Sequence, residues 1–191
     1  MFWSSVKKQQ DAIATSVNPV TRAFTVQMDE VRRLCRIAES QWDEMEVFAF
    51  VMWVYHMGIM NSGRSVDGMR PLQETLNDAA NEYVFRYLAA HPSFSFMPPE
   101  QRKRIHQIII ENVQRRAFDY NEAFNRDKIR ALQPDTLYPN RYQNKCLLDH
   151  VVQDKQAQQR TAGSEAMMLM LTTQLFEQVY GIFGKTFGKA A

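Results

Sequence analysis

At 191 residues, with 45% hydrophobic and 12% aromatic content and a formal net charge of +2, the chain is long enough to bury one core and too rich in aromatics to be disordered. So small a charge provides no overall field to draw in nucleic acid. Its two cysteines, Cys35 and Cys146, stand far apart, which excludes the disulfide framework of a small secreted domain.

The first residues, Met1-Phe2-Trp3-Ser4-Ser5-Val6-Lys7-Lys8, place no apolar stretch after their charges, so no secretory leader is expected. A cytoplasmic location follows by elimination. Residues 1–12 and 184–191 are expected as mobile ends, and the first dozen have the length for a short extra helix. Asn18-Pro19 reads as a helix start, because Asn caps well and Pro suits the first helical position. From there Val20, Phe24, Met28, Val31, Cys35 and Ala38 step by three or four along one face, which predicts an amphipathic helix.

Ser40 is the expected cap of a second helix, with Asp43 and Glu44 in its first turn. From Val47 to Met60 the chain is apolar in every helical direction and carries no charge. A membrane span needs roughly twenty such residues, so this run is predicted to be a helix enclosed by protein. Asn61-Ser62-Gly63 ends it, and Pro71 opens a third helix with the face Leu72, Leu76, Ala79, Ala80, Tyr83 and Tyr87, stopping at His91-Pro92. A fourth helix is predicted from Pro99 to about Leu132 on the stripe His106, Ile109, Ile110, Val113, Ala117, Tyr120 and Phe124. Two more follow, at about 141–158 and 164–183. No segment alternates in the manner of a strand. The expectation is therefore all-α: one domain over 1–191, a bundle of six to seven helices around a buried central helix at about 41–60.

Patterns that carry chemistry are not found. The four histidines, His56, His91, His106 and His150, form no zinc motif, and no Glu-x-x-His pair of a di-iron bundle occurs. Cys146 and His150 share a helical face at i, i+4, but two ligands do not make a metal site. Gly184-Lys185-Thr186 lacks the glycine that a phosphate loop requires five residues earlier, where Val179 stands. No cofactor is called for. His56 and His106 lie on apolar faces and are the two candidates for a haem axial ligand, against the plainer expectation that each bonds a backbone carbonyl or a carboxylate. Acid–base groups assembled across helices leave no local mark, so the enzyme question stays open with a lean towards none.

Partner signals are more instructive. Arg104, Arg115 and Arg126 recur along one side of the fourth helix, but Glu111, Asp119 and Glu122 interleave them. The expected pairs Glu111–Arg115 and Glu122–Arg126 make a self-neutralised face, and nucleic acid is not favoured. Phe2 and Trp3 beside Lys7 and Lys8, and Phe183, Phe187 and Lys189 at the other end, have the make-up of a membrane-surface anchor. Phe94, Phe96 and Met97 in one loop, and Tyr138, Arg141 and Tyr142 around another, combine aromatics with Arg where a connection is usually polar. Such residues concentrate binding energy at protein interfaces; the competing expectation is that the rings fold back as lids on the core. The leading expectation is a non-catalytic helical protein that binds another protein or itself, as inhibitor, adaptor or assembly factor. The alternatives are a helical protein holding haem or an apolar ligand near His56, and a membrane-surface protein using its ends.

Overall fold

The computed structural model describes residues 2–131 and 141–184, with side chains for all of these except 2–4, 129–131, 141 and 162. Among the described residues there are eight α-helices and no strand, an all-α bundle. In order they are α1 (Phe2–Leu34), α2 (Glu44–Met60), α3 (Val66–Ala89), α4 (Pro92–Ser95), α5 (Pro99–Ala131), α6 (Arg141–Val151), α7 (Lys155–Gln159) and α8 (Glu165–Ile182). Two of them, α4 and α7, are single turns within segments expected as a loop and as the end of a longer helix.

α2 is the enclosed helix that its all-round apolarity predicts: every residue from Val47 to Tyr55 is buried. α1, α3, α5, α6 and α8 all pack against it. Phe50 is the hub, within 6.1 Å of Phe24 on α1, 5.1 Å of Tyr120 on α5 and 6.4 Å of Phe176 on α8, ring centre to ring centre. Edge-on and offset rings of this kind add to the roughly 1.5–3 kcal/mol that burying each large apolar side chain contributes. Gly58 completes the fit at the far end. A Cβ there would stand 2.6 Å from the ring of Phe183, so only glycine admits that ring.

Helix starts are where sequence expectation fails most. α1 does not begin at Asn18-Pro19 but runs through it, because the apolar stripe continues upstream as Val17, Ile13 and Val6, all buried. Packing of that stripe, much of it against α3, outweighs the backbone hydrogen bond lost at Pro19. Residues 2–12 are thus the first turns of α1, and Gln10 donates to the Pro71 carbonyl at 3.2 Å. Likewise α3 starts at Val66, not Pro71, with the Ser65 hydroxyl accepting from Gly68 N–H. Ser40 lies in a 3-10 turn, and Asp43 is the cap of α2, accepting from Met45 N–H at 2.9 Å. α6 stops at Val151, where Asp43 N–H donates to the Val151 carbonyl and Trp42 and Val152 form an isolated antiparallel bridge.

Among the described residues, no helix is long and apolar enough to cross a membrane.

Candidate functional site

Among the described residues, Phe94, Phe96 and Met97 are not brought together with Tyr142. Phe94, Phe96 and Met97 precede α5, whereas Tyr142 meets α5 through Asp127 near its other end. From Pro99 to Asp127 a helix rises roughly 42 Å. Phe94 is 5% exposed and serves as a core lid on α4; Met97 is half-buried; Phe96 is 89% exposed. Tyr142 is at the surface, the side chain of Arg141 is among those not described, and Tyr138 lies outside the described residues. So do 185–191 and the side chains of Phe2 and Trp3, on which a membrane-anchoring reading depends.

A different feature draws residues of three helices to one place. The N-terminal half of α5 meets α3, where His106 Nε2 donates to the Asn81 carbonyl at 3.1 Å. Its middle meets α2, where Arg116 holds Glu46 at 2.8 Å and Trp53 Nε1–H donates to Asn121 at 2.8 Å. α5 therefore crosses obliquely from α3 onto α2, and under the crossing a cleft of about 430 Å³ is left. Its walls are Met52, Trp53 and His56 of α2, Gln73, Leu76, Asn77, Ala80 and Asn81 of α3, and Ile110, Val113, Gln114 and Ala117 of α5. Ala80 and Ala117 leave the room that larger side chains would fill. A cleft of this size, apolar with a few convergent amides, has the make-up of a binding site. Apart from His56, no lining residue ionises.

The walls continue outward into exposed rings. Gln73, Asn77 and Asn81 fall on one row of α3 at four-residue steps, and the next member of that row is Phe85, 59% exposed. On α5, Gln114 is followed one turn later by Phe118, 72% exposed. From residue 99 to 119 α5 has no fully buried residue, although Ile105, Ile109, Ile110 and Val113 are partly covered. The apolar face of this otherwise charged stretch is incompletely roofed.

Both candidate histidines find protein partners: His106 the Asn81 carbonyl, His56 the Gln73 amide oxygen, 2.9 Å from its Nδ1. The expectation of a carbonyl or carboxylate is met for His106; His56 instead takes a side-chain amide. Glu46 serves Arg116.

A second polar cluster lies where α5 meets α6. Asp119 accepts from Arg116 at 3.4 Å and from His150 Nε2 at 3.2 Å, linking Glu46, Arg116, Asp119 and His150. Burial, with Asp119 and Asp149 nearby, pushes the Cys146 thiol up to about 12. A thiol kept protonated is a poor nucleophile, so Cys146 and His150 do not form an activated pair. On the outer face of α5, Glu122–Arg126 forms as expected. The expected Glu111–Arg115 pair does not: Arg115 donates to Asn112 at 2.7 Å, and Glu111 accepts from Gln107 at 3.0 Å. Among the described residues no group of His, Cys, Asp and Glu is arranged to hold a metal.

Compared with known protein families, curated proteins and solved structures, the chain matches none.

Proposed function

We propose that this is a non-catalytic, cytoplasmic helical protein that binds an amphipathic helix of a partner protein across the α2–α3–α5 cleft. The observation that carries the reading is the cleft itself, lined by no Asp, Glu, Lys or Arg and continuing on two walls into the exposed rings of Phe85 and Phe118. The row from Gln73 to Phe85 spans roughly 18 Å, the length of three helical turns. Helix-in-groove recognition uses apolar anchors at i, i+3/i+4 and i+7, a span of roughly 10.5 Å that fits within that length. Exposed aromatics beside a formed cleft suit an interface better than a monomer surface. An uncharged lining favours apolar anchors over charged ones, since a charge brought in would lose its water without gaining a counter-ion. Phe96 extends the proposed contact towards α4; Phe94 belongs to the core.

A photo-cross-linking residue placed at Phe85, at Phe118 and, as a control, at the exposed Met170 of α8 tests this in cells. The expected result is one and the same helical segment of one partner from both Phe positions, none from Met170, and loss of the cross-link when Ala117→Phe fills the cleft. Cross-linking no stronger than the control, or unchanged by Ala117→Phe, overturns the reading.

A second reading, a neutral apolar ligand in the same cleft, is supported by His56 on its wall. Haem suits the cleft less well, because its propionates call for cations and no Lys or Arg lines it. A co-purifying small molecule in native mass spectrometry is the expected sign of that reading, and a clean apo mass speaks against it.

A further inference from the structure

Gln73 Oε1, an atom that only accepts, sits 2.9 Å from His56 Nδ1. Its own amide nitrogen faces Asn77 Oδ1 at 3.5 Å, a long contact that is consistent with the oxygen facing the ring. The tautomer that satisfies this oxygen is the one with the proton on Nδ1, which leaves Nε2 its lone pair. His56 lines the cleft, and among the described residues Nε2 has no hydrogen-bond partner. An acceptor is thus held in place by α3 on an otherwise largely apolar wall.

We infer that the side chain received beside His56 is an aromatic hydrogen-bond donor of the partner helix, a tryptophan or tyrosine giving its N–H or O–H to Nε2. This rests on the reading that the α2–α3–α5 cleft is where the helix docks. An aliphatic anchor would strip water from Nε2 and return nothing, whereas an indole or phenol satisfies it while burying its ring. Met52 offers a thioether to the ring, a favourable sulfur–aromatic contact. A lysine or arginine donor is disfavoured because no carboxylate lines the cleft to meet its charge.

The test uses the full chain, histidine-labelled with 15N, titrated by NMR with indole and with N-methylindole, its twin without a donor. The expected result is that indole binds and moves the His56 Nε2 resonance, that N-methylindole binds roughly tenfold more weakly, and that His56→Phe removes the difference. His56→Leu, with a thermal melt for both variants, guards against a folding defect being read as lost selectivity. Equal binding of the two probes, or binding of neither, overturns the inference. Equal binding with cross-links retained at Phe85 and Phe118 sinks this inference alone. Donor selectivity with no cross-link at either position overturns both readings and leaves the cleft to a small aromatic donor.

Discussion

Asp127, 3% exposed near the end of α5, accepts the backbone N–H groups of Tyr142 and Gln143, each at 2.9 Å, and so caps the start of α6 from another helix. The first N–H groups of a helix have no partner inside it, and a carboxylate there also meets the positive end of the dipole. Asp127→Ala is expected to cost about 2 kcal/mol and to speed hydrogen exchange at the amides of 142 and 143 selectively. Asp127→Asn, which keeps one acceptor, is expected to lose less. Unchanged exchange at those two amides in the alanine variant would refute the cross-helix cap.

Glu46 and Arg116 join α2 to α5, with side chains 13% and 26% exposed. Arg116→Met leaves the carboxylate poorly hydrated and without its guanidinium, an expected loss of about 2 kcal/mol in chemical denaturation. Adding Glu46→Gln is expected to recover most of it, since the more buried of the two carboxylates is then neutral and the more exposed Asp119 still has His150 as a partner. A double variant no more stable than the single would show that the loss came from packing.

Arg36 ends α1 with φ of 54°, in the left-handed region, while Ile37 N–H bonds the Arg32 carbonyl and Arg36 N–H that of Arg33. That is the geometry glycine adopts without strain. Arg36→Gly is therefore expected to raise stability by about 1 kcal/mol, with the melting temperature as the readout. A fall in melting temperature would mean that the arginine side chain contributes more than the backbone strain costs.

Tyr83 stacks on Phe48 at 4.2 Å, and burial, with the charge of Glu44 near it, pushes its phenol from 10.0 to about 12. The unfolded chain loses this proton first, so the contribution to stability is complete below pH 10 and disappears as pH rises to about 12. Tyr83→Phe is expected to make alkaline unfolding over that window shallower. An identical pH profile in the variant would count against the buried phenol.

Cys146 is pushed up to about 12 for the same reason, reinforced by Asp119 and Asp149. At pH 8 iodoacetamide is expected to alkylate it at least a hundredfold more slowly than the unfolded chain. Rapid labelling of Cys146 in the folded protein would disprove its protected state.

Cys146 and His150 show how far residue spacing reaches. Their four-residue separation puts both at the α5–α6 junction, yet His150 is turned to Asp119, a residue of another helix, and the thiol is held neutral. The candidate cleft was legible only in fragments. Gln73, Asn77 and Asn81 recur at helical spacing in plain view, and His56 stood out among apolar neighbours, but nothing local pairs that row with Ala117 or Gln114.

The sequence alone determined the helical class and the buried position of α2, because apolarity on every side of a helix from Val47 to Tyr55 has one stable solution, enclosure by other helices. Tertiary structure decided the rest. Prolines at 19 and 71 read as helix starts until packing of the residues before them outweighed the lost hydrogen bonds. The oblique path of α5 over α3 and α2 decided where space remained. Periodicity fixes which face of a helix is buried, whereas the angle at which two faces meet depends on side chains from both, and that angle opens the cleft.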